Sequence, residues 1–160
     1  MGIKVTFTQQ SLDNYFAQVM QIIKEELVRT LSYLGEQSIR RARNRSGEES
    51  WYDRTGNLRS SVGYAIADHG RKQIESAFEQ VKEGTEGAGA GRKLINELVQ
   101  KYSDTYALIV VAGMNYADHV EAIEGKDVLA STELWARSVI DGYLEKTKKR
   151  ISTRISRLSI

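Results

Sequence analysis

Histidine is the side chain most often used for proton transfer and metal ligation near neutral pH. It occurs twice here, as His69 and His119, each directly after an Ala-Asp pair. Asp118, His119 and Glu121 carry donor types that could hold a divalent cation. Their spacing argues against it: on a helix, residues one and two apart do not share a face, and zincin-type histidines sit four apart. His69 falls in the turn signal Asp68-His69-Gly70-Arg71. Both histidines therefore read as solvated turn and corner residues.

The stretch from Gly84 to Gly91, followed by Arg92 and Lys93, suggests phosphate chemistry. A phosphate-binding loop needs Gly-x-x-x-x-Gly-Lys-Ser/Thr between a strand and a helix. Here Gly87 lies only four before Gly91, Arg92 stands in place of the lysine, and Lys93 in place of the hydroxyl that would meet Mg²⁺. The stretch reads as a flexible loop before a helix start that could attract an anion. No Gly-x-Ser-x-Gly element offers a serine nucleophile, and Glu48 and Glu49 fall in a loop with no evident pocket. The chain has no cysteine, so thiolate catalysis, thiolate metal sites and disulfides are excluded. The expectation is no catalytic set, no cofactor and no metal site: not an enzyme.

Two basic clusters remain. Arg40, Arg41, Arg43 and Arg45 form one; Lys146, Lys148, Lys149, Arg150, Arg154 and Arg157 form the other. Both could touch DNA phosphates through sequence-independent, salt-sensitive contacts. Glu48, Glu49 and Asp53 partly offset the first cluster, and cations at helix ends are routine. The net charge of +2 over 160 residues is too small to argue for nucleic acid on its own. A DNA-associated module stays as the alternative reading.

The elements that would position these groups follow from periodicity. At 41% hydrophobic and 28% charged, the composition suits one soluble domain over 1–160, with its core about 10–149. No apolar run is long enough to cross a membrane, and the N-terminus lacks the apolar centre of a signal peptide. Gly2 with Thr6 matches a myristoylation pattern, but an ordinary start is the commoner reading, and a cytoplasmic location is expected.

From Ser11 to about Arg43, Leu12, Phe16, Val19, Met20, Ile23, Leu27, Leu31 and Leu34 fall on one helical stripe, with Ser11 as N-cap. Asn44 to Asn57 reads as a loop, with Trp51 and Tyr52 folding back. Leu58 to Asp68 reads as a half-buried strand, and Lys72 to Val81 as its hairpin partner, although a helix fits that second stretch as well. Arg92 to Tyr102 is a short amphipathic helix. Thr105 to Ala112, with its run of β-branched residues, reads as a central strand. Gly113 to Lys126 is irregular or a short helical turn. Asp127 to about Lys149 is a second long helix capped by Asp127, and 151–160 is its extension or a frayed tail. The fold class is α+β: two long helices packed on a small, mainly antiparallel sheet with a β-hairpin and one short extra helix.

Two segments stand out. Asp53-Arg54-Thr55-Gly56-Asn57-Leu58-Arg59-Ser60-Ser61 reads as a polar turn launching a strand. Val110-Val111-Ala112-Gly113-Met114-Asn115-Tyr116-Ala117-Asp118-His119-Val120-Glu121 reads as a strand breaking into a corner. In order and spacing they resemble the small neck, head–tail joining and tail-completion proteins of tailed phages and prophages. Thr55, Gly56, Leu58 and Arg59 match that family's Thr-Gly-x-Leu-Arg turn; Tyr116, Ala117, Val120 and Glu121 match its Tyr-Ala-x-x-Val-Glu corner. The run through Asp127-Val128-Leu129-Ala130-Ser131 is most similar to prophage versions from Bacteroides-like bacteria. The resemblance covers roughly residues 10 to 145. The chain departs from it at Ala122-Ile123-Glu124-Gly125-Lys126, where many relatives carry Glu-x-Gly-Thr.

The resemblance implies a virion structural protein, present in the host cytoplasm during assembly. It would act as a ring-forming adaptor between a connector, tail terminator or tail tube and identical neighbours. The motif residues would then be structural: Gly56 permits the turn, Leu58 anchors the first strand, and Arg59 and Glu121 are a candidate ion pair.

Overall fold

In a computed structural model, residues 7–45, 51, 53–122 and 126–159 are described. The element order is α1 (Gln9–Arg43), α2 (Asn57–Ser60), β1 (Val62–Asp68), β2 (Arg71–Glu75), α3 (Gly87–Val99), β3 (Tyr106–Ala112), α4 (Ala117–Ala122) and α5 (Ala130–Ile155). The class is α+β, with two long helices, a three-stranded antiparallel sheet that includes a hairpin, and shorter helices. The chain divides into two compact units, one of Met1–Thr30 with Asp141–Ile160, the other of Leu31–Ile140. No helix is long and apolar enough among the described residues to cross a membrane.

In the first unit the seam between the helices is polar. Helix α1 starts at Gln9, and its N-cap is Thr8 rather than the expected Ser11. Ser11 N–H donates to Thr8 Oγ1 at 3.2 Å and Thr8 N–H donates to Ser11 Oγ at 3.1 Å, a reciprocal box one turn earlier. The apolar stripe read from sequence is only partly covered, with Phe16 and Met20 remaining 61% and 63% exposed. The buried positions are Ile22, Glu26 and Thr30. Arg150 Nε donates to Glu26 Oε2 at 2.7 Å, and Arg154 Nη1 to Glu26 Oε1 at 3.1 Å. Arg150 Nη2 also reaches Thr30 Oγ1 at 2.8 Å, while the Thr30 and Thr147 hydroxyls lie 2.6 Å apart. A charge taken from water needs such pairing to be tolerated at all. Helix α5 runs to Ile155, so the first half of 151–160 extends the helix, one of the two readings the sequence allowed.

The second unit is a sheet covered on both faces. The strand order is β2-β1-β3, so the centre is β1, not the β-branched strand β3 expected there. Small residues explain the reversal. Ala65 and Ala67 of β1 join Ile109 and Val111 of β3, Ile95 and Val99 of α3, and Phe78 in one cluster. On the opposite face Tyr64 lies against Gly35 of α1, where any side chain would overlap its ring. Burial pushes the Tyr64 phenol up to about 12, helped by the Glu36 carboxylate that accepts its hydrogen bond at 3.1 Å. Alternation along β1 then reads as continuous burial, because both of its faces are covered.

Several boundaries differ from the sequence reading. Asn57–Ser60 is a helical turn, so the strand begins at Val62 instead of Leu58. The hairpin partner β2 stops at Glu75; beyond it Ser76 still pairs with Tyr64, its N–H donating to Tyr64 C=O at 2.9 Å. The Gly-rich stretch is not a loop from Gly84 to Gly91, since α3 begins at Gly87. Helix α5 begins at Ala130, with Asp127 Oδ1 accepting the Ser131 N–H at 3.1 Å, so the expected acceptor role of Asp127 is present.

Hydrogen bonds from Arg150 come first among the causes that hold the Glu26 carboxyl below its ordinary value. A depressed carboxyl contributes stability that is present above its unfolded pKa and is lost as pH falls through the folded one. Glu26→Gln should therefore destabilise the helix pair by about 1–3 kcal/mol at neutral pH. Thermal melts followed by circular dichroism should show the gap between variant and wild type closing below about pH 4.

Candidate functional site

The first motif folds around one buried carboxylate. Asp53 Oδ1 accepts the Gly56 N–H at 3.0 Å and Oδ2 accepts the Arg59 N–H at 3.2 Å, with Arg59 Nε at 3.7 Å from Oδ2. The Asp53 side chain is 3% exposed, so these donors replace its water. The turn they close needs a left-handed residue, and Gly56 supplies it at φ 84°. It also lies so close to the Val81 carbonyl that a Cβ would overlap it.

From this turn, side chains reach outward to other segments. Asn57 Oδ1 accepts the N–H groups of Glu86 and Gly87 at 3.2 and 3.3 Å, capping α3 from thirty residues away in sequence. Ser60 Oγ donates to Gly56 C=O at 2.7 Å and accepts the Val81 N–H at 2.7 Å. The Gly113 N–H donates to Ser61 C=O at 3.1 Å, extending the β1–β3 ladder. Close approach makes these bonds geometrically available. Gly87 abuts the Asn57 carbonyl and Ser60, while Gly91 abuts Phe78 and the Ser61 carbonyl; a Cβ at either would overlap them. The Gly-rich sequence is thus a packing surface spaced one helical turn apart.

The second motif meets the first here. Leu58 is 1% exposed and Ala117 6%, and both belong to a cluster with Trp51 and Val128. Ala112, Met114 and Leu129 pack against that cluster. Trp51 folds back as expected; Tyr52 lies outside the described residues. Tyr116 stands at the rim, 37% exposed. Burial pushes its phenol pKa up, and the nearby Asp53 and Glu86 charges add to the shift. Thr55 is exposed, its hydroxyl accepting the Asn57 N–H at 3.3 Å. Arg59 is engaged on several sides: its Nη1 donates to Arg43 C=O, and its guanidinium lies 5.3 Å over the Trp51 ring. The side chains of Val120 and Glu121 lie outside the described residues, and with them the expected Arg59–Glu121 pair. Six of the eight motif residues thus have described side-chain positions or a described backbone role at this junction, and Thr55, Gly56, Leu58, Arg59, Tyr116 and Ala117 share it.

Sequence reading undervalued Asp53, Asn57, Ser60 and Ser61. The signal was available: short acceptor side chains flanking a glycine are the residues that bond nearby backbone N–H groups.

The first basic cluster is largely absorbed into structure. Arg43 Nη2 donates to the Val62 and Ala77 carbonyls at 2.6 and 3.3 Å, and burial pulls its pKa down. Arg45 pairs with Asp127 and donates to Thr132 Oγ1 at 3.1 Å. Arg41 lies 4.8 Å over the Trp135 ring. In the second cluster, Arg150 and Arg154 are held by Glu25 and Glu26. Beside the second motif an open groove of about 540 Å³ runs between α3 and the corner, its rim carrying Glu86, Lys93, Glu97 and Asp118. Among the described residues no group of three His, Asp or Glu side chains is arranged to hold a metal ion. His69 Nδ1 lies 2.6 Å from Asp68 Oδ1 in its turn.

Compared with family models, curated proteins and solved structures, this chain matches none.

The hydrogen bonds give the junction a graded sensitivity. Asn57→Ala should cost about 1 kcal/mol, as loss of a helix cap does, whereas Asn57→Asp keeps the acceptor and most of the stability. Asp53→Ala leaves two backbone N–H groups without their acceptor and the Arg59 guanidinium without its counter-charge, and should cost about 2–4 kcal/mol. Urea titrations of the three variants check the order; an Asp53→Ala variant as stable as wild type would contradict it.

Proposed function

We propose that this chain is a virion structural protein of a tailed phage or prophage, working at the head–tail junction or tail terminus as a ring-forming adaptor. The observation that carries the reading is the convergence of the two motif segments. They lie about fifty residues apart in sequence, and Leu58 and Ala117 share one buried cluster. The polar groups of the first are spent on holding backbone segments together, which suits framework for assembly better than a reaction centre. Exposed apolar side chains on the long helices, among them Phe16, Met20 and Leu134, suit contact with other proteins. The partners would be a connector, a tail terminator or a tail-tube protein, together with identical copies arranged head to tail.

The alternative, a DNA-associated module, loses support because Arg43, Arg45, Arg150 and Arg154 are already engaged within the chain. Lys148, Lys149 and Arg157 stay exposed, and Lys146 lies 5.5 Å over the Tyr143 ring.

Two measurements separate the readings. Genes for portal, major capsid and tail-tube proteins should flank this one, and induced particles should contain the chain by mass spectrometry; a metabolic neighbourhood would sink the proposal. The isolated chain should show no micromolar affinity for duplex DNA at physiological salt. Affinity that falls steeply with added salt would favour the DNA reading.

A further inference from the structure

The two compact units are held together by different forces. In the second, the buried side chains are mostly apolar, Leu34, Leu58, Ile66, Ile95 and Val128 among them. In the first, the buried residues among those described are Ile22, Glu26, Thr30 and Thr147, and Ile22 alone is a hydrophobe. Beyond Ile140, α5 fully buries no apolar side chain: Tyr143, Ile151 and Ile155 are half-buried and Leu144 is exposed. Directional bonds hold this part of α5 to α1. Glu26 pairs with Arg150 and Arg154, Glu25 pairs with Arg154, and Thr30 meets Arg150 and Thr147. Segments with little buried apolar surface are the ones that open while the rest of a fold stays closed.

Gly142 is a second, independent observation. The division between the units falls in α5 between Ile140 and Asp141, and the helix crosses it without a break. Just beyond stands the one glycine of α5, exposed, where an added Cβ would meet nothing within 4 Å. Gly35, Gly87 and Gly91 are each required by a neighbour that leaves no room for a side chain; Gly142 is not. Glycine weakens a helix interior because its backbone has more freedom to leave it. The weakest backbone position of α5 thus coincides with the edge of its weakly held part.

We propose that residues 143–155 form a strap that leaves α1 as one piece about a hinge at Gly142, with Glu26 as its latch, while the second unit stays folded. Thr147, Arg150 and Arg154 follow one another at steps of three and four, so they lie on one face of the strap. Their bonds converge on Glu26 and Thr30, and losing the register of one loses the others. Both states are accessible for a physical reason. An ion pair withdrawn from water gains little over its solvated ions, so this seam fixes position without holding tightly. Opening bares the α1 face that carries Ile22, Glu26 and Thr30. The device belongs to the isolated chain and goes beyond the proposed virion role, which would fail on gene neighbourhood and particle composition while the strap stood.

The test is native-state amide hydrogen exchange on the full chain. Amides from Lys146 to Ile155 should exchange through one common opening, populated about tenfold or more above the opening that exposes Ala65 and Ile66 of β1. Gly142→Ala should make the common opening about fivefold rarer, since alanine holds the helix closed at the hinge. Glu26→Gln leaves two guanidinium groups without their carboxylate and should make it about tenfold commoner. Exchange in β1 should change in neither variant. If Glu26→Gln does not fold, a bridge replaces it. Thr30→Cys with Thr147→Cys, oxidised in a chain that has no other cysteine, should abolish the common opening, and reduction should restore it. Protection that rises steadily from Ile155 back to Lys146 would mean simple fraying and overturn the hinge. Exchange of these amides only together with β1 would overturn the strap, as would a common opening that Gly142→Ala or the bridge leaves unchanged.

Discussion

The buried Asp53 carboxylate is the constraint on which the second unit depends. It gathers two backbone N–H groups and the Arg59 guanidinium into a turn that only a left-handed Gly56 can complete. Once that turn is fixed, Asn57 is placed to cap α3, Ser60 to hold Val81, and Ser61 to receive the end of β3. A short polar segment with little hydrophobic content thus sets the positions of a helix, a connecting loop and a strand. Its energy comes from satisfying donors and acceptors that burial would otherwise leave costly.

Packing around that turn depends on absent side chains as much as on present ones. Gly87 and Gly91 let α3 approach the turn and the sheet until backbone carbonyls are in contact. The alanines of β1 leave room for Ile95, Val99, Ile109, Val111 and Phe78 on the same face. In the first unit the order is reversed: long polar side chains, Glu26 with Arg150 and Arg154, occupy the seam while Phe16 and Met20 stay outside. A polar seam fixes register through directional bonds, and an apolar exterior leaves surface for other chains.

The sequence was legible where periodicity decided the matter. Helix α1 matched its stripe to within two residues at its N-terminus and ended at Arg43, and the hairpin and α+β class followed from the order of patterns. It misled where a tertiary partner decided it. Gly84 to Gly91 reads as a loop because glycine disfavours helix locally, yet an acceptor from Asn57 and a tightly packed surface outweigh that preference. Tyr106 to Ala112 reads as central because it is β-branched and continuous, yet β1 takes the centre, its alanines packing under α3 and Phe78 while Tyr64 meets α1 at Gly35.

The sequence by itself determined the span of α1, the class of the fold and the two segments singled out, because those rest on the spacing of residues along one chain. Only the tertiary structure decided that these segments meet, that polar residues of the first spend their hydrogen bonds on its own turn and on the backbone of Val81, Glu86 and Gly87, and that much of the first basic cluster is already occupied. Burial and long-range hydrogen bonding join residues by proximity in space, and no local pattern encodes which distant donor will find which acceptor.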